Sequence, residues 1–170
     1  MKKIALLAAL PLLLVINTNS ALAGVRVGNH STPYAGVALQ QGLDKFGTGI
    51  KVYGGYEFMD FDLGKSLVVV GAEAAYDNFS KKNGLSATAL SVVANARMSV
   101  LDNVDVYAHA GLANTAVKDN GTTTKTGFTL GGGATYLITD KINVFAEVDL
   151  YTNLDLANQN VVSLGGEMRF

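Results

Sequence analysis

From Thr48 to Phe58 the chain reads TGIKVYGGYEF, and apolar and polar positions alternate. Ile50, Val52, Gly54, Tyr56 and Phe58 fall on one face, and Lys51, Tyr53, Gly55 and Glu57 on the other. Period two is the spacing of an extended strand, and strict alternation marks a strand whose two faces meet different surroundings. The pattern returns in VDVYAHAGL, where Val104, Val106, Ala108, Ala110 and Leu112 oppose Asp105, Tyr107, His109 and Gly111. It returns in INVFAEVDL, where Ile142, Val144, Ala146, Val148 and Leu150 oppose Asn143, Phe145, Glu147 and Asp149. It closes the chain, with Val162, Leu164, Gly166, Met168 and Phe170 set against Ser163, Gly165, Glu167 and Arg169. Eight such segments are predicted, at 33–42, 48–58, 67–79, 86–100, 104–117, 127–138, 142–152 and 161–170. Each is near or above the roughly nine to eleven residues that a tilted strand needs to cross a bilayer.

The connections differ in length. Leu101–Asn103 and Thr139–Lys141 read as tight turns, with Asn or Asp available for left-handed backbone. Asp119–Thr126 and Asn153–Asn160 read as longer polar loops, and Met59–Ser66 breaks the rule as a short-side turn that is not short. Short turns on one rim and longer loops on the other are the arrangement of an outer-membrane barrel.

Alternation alone does not say which face looks outward, because soluble barrels hide the apolar face inside. The polar face decides. It carries Lys51, Glu57, Glu73, Arg97, His109, Glu147, Asp149, Glu167 and Arg169, while the opposite face has almost no charge at mid-strand. An eight-stranded lumen is only just wide enough for side chains, and Ala and Gly would fill it poorly. Facing lipid, the apolar set is solvated by acyl chains, and charges of both signs neutralise one another inside. A soluble lipid-binding barrel is the rival. Tyr56, Phe58, Tyr76, Phe128, Tyr136 and Phe170 fall where interfacial rings belong, although the chain has no Trp.

Met1-Lys2-Lys3, the apolar run Ile4–Ile16 and Ala21-Leu22-Ala23 read as a secretory signal peptide over 1–23, cut before Gly24. Residues 24–170, roughly 147 in all, then form one outer-membrane β-barrel domain. The absence of Cys excludes disulfides, thiolate sites and a lipid-modified N-terminal cysteine. A net charge of −1 gives no footprint for nucleic acid.

With these features in place, GTGIKVYGGYEF, VYAHAGLANT, GGGATYLITDKINVFAEVDLYTNLD and NVVSLGGEMRF resemble the small OmpA-like and opacity-type ("porin family") barrels. The resemblance runs from about Tyr34 to Phe170. It implies an all-β, up-and-down, eight-stranded antiparallel transmembrane β-barrel in a Gram-negative outer membrane, exported through the Sec pathway. It implies outer-membrane lipid and lipopolysaccharide as surroundings, and periplasmic chaperones and the barrel-assembly machinery as partners in biogenesis. It further implies that Ser163, Leu164, Gly165, Met168 and Phe170 form the C-terminal assembly signal, with Met168 standing where an aromatic residue is also common. Larger members append a peptidoglycan-binding domain, which this chain is expected to lack. A monomer is expected.

Candidate chemistry is sparse. A serine hydrolase needs a Ser beside a His and a carboxylate that orients it. His30-Ser31 is expected before the first strand, in a periplasmic segment, and His109 sits on the inner face with no Ser two residues on. No enzyme, cofactor or metal site is therefore expected, and His109 reads as a hydrogen-bonded interior residue. Gly131-Gly132-Gly133 lies in a strand pattern and lacks the GK[ST] of a phosphate loop. The tight turns predict Asn95 opposite His109, Arg97 opposite Tyr107, Phe145 opposite Thr135, Glu147 opposite Gly133 and Asp149 opposite Gly131. Lys51 is expected opposite Glu73. Bulky Tyr53, Tyr107, Phe145, Glu147 and Arg97 predict a plugged lumen and a structural or surface-interaction role. A narrow pore for small solutes and a lipid A-modifying enzyme are the alternatives.

Overall fold

The computed structural model describes residues 26–43, 46–63, 66–82, 84–118, 121–152 and 159–170, with side chains from residue 31 onward. The leader over 1–23 and the loop residues Asp44, Asp119 and Asp155 lie outside the described residues. The eight strands are β1 (Arg26–Gly42), β2 (Thr48–Asp62), β3 (Leu67–Lys82), β4 (Leu85–Leu101), β5 (Val104–Lys118), β6 (Thr122–Leu137), β7 (Ile142–Tyr151) and β8 (Gln159–Arg169). Each pairs antiparallel with the next, and β8 pairs with β1 to close the barrel. Closure leaves no sheet edge through the span, a condition hydrocarbon imposes because it offers unpaired N–H and C=O groups no partner.

The apolar set faces outward. Leu39 is 72% exposed and Leu164 67%, whereas Glu147 is 4% and Arg97 8%. The aromatic positions Tyr56, Phe58, Tyr76, Phe128, Tyr136 and Phe170 all lie on the outer surface.

Three strands differ from expectation for stated reasons. β1 begins at Arg26, so His30 and Ser31 lie within a strand and not before it. Its early part pairs with β2 alone, through a register shift between Asn29 and Thr32, whereas pairing with β8 starts at Tyr34. Pro33, which lacks an N–H, sits at that boundary, where its carbonyl accepts the Phe170 N–H at 3.0 Å. β2 continues past Phe58 to Asp62. A bulge between Glu57 and Met59 breaks period two there. The following connection is correspondingly tight, with Leu63 N–H donating to Ser66 C=O at 3.0 Å. β6 begins at Thr122, so Thr122–Thr126 are strand and not loop, paired with Asn114–Lys118.

These extensions expose a change of solvent along the wall. β7 and β8 have 10 and 11 residues, about enough to cross. β3 to β6 have 15 to 17 and run on beyond the apolar band at the loop rim. There the alternation inverts. Asn78, Ser80, Asn114, Thr124 and Thr126 point out, and Asn114 Nδ2 donates to Thr126 Oγ1 across the strands at 3.1 Å. Phe79, Ala87, Ala89, Ala113 and Val117 point in and, with Phe46, Tyr151 and Val161, form a buried apolar plug. Phe46 and Phe79 stack with ring centroids 5.2 Å apart. Above the bilayer water takes the place of lipid, so burial again favours apolar side chains inside.

Candidate functional site: the closed lumen

Below the plug the lumen is filled by polar side chains in two layers. The layer toward the turn rim joins β2, β4, β7 and β8. Arg97 Nη2 lies 3.1 Å from Glu167 Oε2, and Arg97 Nε lies 3.4 Å from Glu57 Oε1. Arg169 closes the ring, with Nη2 at 2.9 Å from Glu57 Oε1 and Nε at 3.4 Å from Glu167 Oε1. Tyr53 OH and Asn143 Nδ2 also donate to Glu167, at 3.2 and 3.1 Å. Within this ring two guanidiniums face two carboxylates, and a further buried carboxylate toward the turn rim, Asp105, accepts from Ser99 Oγ at 2.7 Å.

The central layer holds Lys51, Glu73, His109, Glu147 and Asp149. Lys51 Nζ is 2.7 Å from Glu147 Oε1, 3.7 Å from Asp149 Oδ2 and 3.9 Å from Glu73 Oε1. His109 Nε2 is 2.7 Å from Asp149 Oδ1, and its Nδ1 is 3.7 Å from Glu147 Oε2. Tyr107 OH donates to Glu147 Oε2 at 2.9 Å, and Tyr34 OH to Glu73 Oε2 at 3.2 Å. Just above, Gln40 Nε2 and Tyr151 OH donate to Asp77 at 2.8 and 3.1 Å.

Aromatic rings brace the two layers. Tyr34 and Tyr53 meet edge to face at 6.2 Å, and Tyr53 and Phe145 at 5.6 Å. The Arg97 guanidinium lies over the Tyr107 ring at 5.4 Å. Glycines make room for these rings: a Cβ on Gly36 would run into the Tyr53 phenol, and one on Gly55 into that of Tyr34. A cavity beside Arg97, His109 and Glu147 holds about 10 Å³, space for about one water.

The structure thus brings together all nine interior residues singled out by sequence, in two clusters. The paired positions agree at Asn95–His109, Arg97–Tyr107, Thr135–Phe145, Gly133–Glu147 and Gly131–Asp149. One register differs. Lys51 stands opposite Asp77, and Glu73 opposite Gly55. The long Lys51 stem still reaches Glu73 diagonally. The expectation failed by four positions because it ended β2 at Phe58, whereas β2 runs on to Asp62 opposite Leu67; the bulge itself shifts the register by only one residue. In β8, Ser163 points inward, Leu164, Met168 and Phe170 point outward, and Gly165 lies against the Phe145 ring. Sequence reasoning placed Asn143 on the inner face without giving it a role, and missed Tyr34, Gln40, Asp77 and Tyr151. Asp77 was within reach, because it shares inward parity with Glu73. Phe46 gave no signal, since it lies between strands.

A closed antiparallel barrel with lipid-facing apolar walls and ion pairs within is a transmembrane barrel. The chain belongs to the family of the outer membrane protein beta-barrel domain, whose model matches residues 5–170. No curated protein matches it. Among solved structures it is similar to the N-terminal beta-barrel domain of Pseudomonas aeruginosa OprF, at 15% identity and TM-score 0.62, covering 84% of this chain and 100% of that one. It is similar to Neisserial surface protein A, at 16% identity and TM-score 0.58, covering 86% and 97%. It is also similar to the outer membrane enzyme PagL, at 14% identity and TM-score 0.51, covering 79% and 98%. Likeness at these identities shows the fold alone. Family and fold together put the chain in the outer membrane.

Proposed function

We propose that this chain is a non-catalytic, non-conducting outer-membrane barrel that presents its loop rim to the exterior in a structural or surface-interaction role. The observation that carries this reading is the double closure of the lumen, by ion pairs spanning the bore and by an apolar plug above them. Ion passage would have to part Arg97 from Glu167 and Lys51 from Glu147 and also wet the Phe46–Phe79 stack. That argues against the narrow-pore alternative. The serine-hydrolase alternative finds no support at His109, because both ring nitrogens face carboxylates and neither is offered to a serine. Leader-directed Sec export, a monomeric state, lipopolysaccharide around the walls, periplasmic chaperones and delivery by the barrel-assembly machinery through β8 belong to the same reading.

Planar-bilayer recording tests it. The purified barrel is expected to give no steady conductance, and overexpression is expected to leave lipid A unchanged. Stable single-channel steps from the wild-type protein would replace this reading with the pore, and deacylated or acylated lipid A would replace it with the enzyme.

A further inference from the structure

Charge balance singles out the central layer. The ring toward the turn rim pairs two guanidiniums with two carboxylates. In the centre and just above it, Glu73, Asp77, Glu147 and Asp149 face one ammonium, that of Lys51. A buried carboxylate without compensation costs several kcal/mol, so this region must take up positive charge, as protons on its carboxylates and on His109 or as a bound cation.

The residue arrangement shows where that charge fits. His109 of β5, Gly131 of β6 and Asp149 of β7 stand in register across three strands, and so do Tyr107, Gly133 and Glu147. The β6 glycines have no side chains, so side chains from β5 and β7 meet over them. A Cβ on Gly131 would collide with both Asp149 Oδ1 and His109 Nε2. The glycine run that is no phosphate loop is thus what lets a histidine meet two carboxylates. One ligand atom from each of His109, Glu147 and Asp149 lies within 4.8 Å of the others. Asp149 is 1% exposed, yet its Oδ2 has no hydrogen-bond partner, the Lys51 ammonium lying 3.7 Å away. A water-sized cavity borders His109 and Glu147.

We propose that His109, Glu147 and Asp149 bind a divalent transition-metal ion inside the barrel. One imidazole nitrogen with two carboxylate oxygens suits zinc, manganese, iron or cobalt in the divalent state, and the cavity has room for a water ligand. Binding requires His109 Nε2 and Asp149 Oδ1 to part by about half an ångström, to suit metal–ligand bonds of about 2.0–2.2 Å. Lys51 then turns from Glu147 toward Asp77, its cross-strand neighbour. The site is sealed, so loading accompanies folding.

The test is to fold the barrel into detergent with Co²⁺ or Zn²⁺, strip loose metal with chelator and measure retained metal by elemental analysis. Folding is verified by heat-dependent gel mobility. Wild type is expected to retain one ion per barrel, to show a cobalt d–d band and to unfold at a higher temperature than barrel folded without metal. His109→Ala and Asp149→Asn are expected to lose all three signatures, and His109→Asn serves if the alanine variant does not fold. Asp102→Asn, at an exposed turn, retains them. Folded wild type that retains no stoichiometric ion overturns the proposal, and so does retention that folded His109 and Asp149 variants leave unchanged.

Discussion

Arg97→Met isolates the energetics of the lumen. Arg97 is 8% exposed and serves two carboxylates, Glu167 at 3.1 Å and Glu57 at 3.4 Å. Met keeps much of the stem volume and removes the charge. Glu57 and Glu167 then share Arg169 as the cation of their ring, so one carboxylate is in excess. Removing one partner of a buried pair costs about 3–5 kcal/mol. Glu167 keeps neutral donors at Tyr53 and Asn143, so the loss should lie near the lower limit, about 3 kcal/mol. Adding Glu167→Gln restores the balance. The double variant should therefore be more stable than Arg97→Met alone, with a coupling of about 1–3 kcal/mol. The chain has no Trp, so urea titrations are followed by far-ultraviolet circular dichroism and by gel mobility without heating. A single-variant loss within about 0.5 kcal/mol, the range of an exposed ion pair, would refute the reasoning. So would a double variant that loses the sum of the two single losses.

Other variants probe the remaining features. Gly131→Ala should sharply lower the yield of folded barrel, because its Cβ meets Asp149 and His109. Gly54→Ala, whose nearest neighbour would be a carbonyl oxygen at 3.6 Å, should fold normally in the same gel-mobility assay. Phe46→Ala should cost about 3–5 kcal/mol in urea titration by emptying the plug, while bilayer recordings stay silent because the ion-pair layers still close the bore. Leu39→Lys, at mid-strand on the outer wall, should destabilise by about 2–4 kcal/mol, whereas Thr124→Lys beyond the apolar band should cost under about 0.5 kcal/mol.

Strand number, facing and most registers could be read from the sequence because one physical cause acts along each strand. Lipid on one side and a narrow ionic bore on the other force strict period two, and a tight turn such as Leu101–Asn103 fixes the partners. The misreadings fall where that cause fails. At Glu57–Met59 a bulge inserts one residue, so alternation breaks although pairing continues. At Thr122–Thr126 the strand has left the bilayer, and its polar outward face resembles a loop. The plug at Phe79, Ala87 and Val117 has the same origin, since parity survives while the two environments exchange. The interior charges were visible as a set. Their division into a balanced ring and an acid-rich layer was not, because it depends on which side chains meet across a glycine strand.

The central claim is the direction of the apolar face, and site-directed spin labelling tests it most directly, since the chain has no native Cys to remove. Leu164→Cys and Thr124→Cys, each carrying a nitroxide in bilayer-reconstituted barrel, are compared for collision with oxygen and with a water-soluble nickel chelate. The label at 164 should meet oxygen and be shielded from nickel, and the label at 124 should show the reverse. A label at 164 that nickel reaches freely, or that is immobilised and reached by neither, would contradict the account.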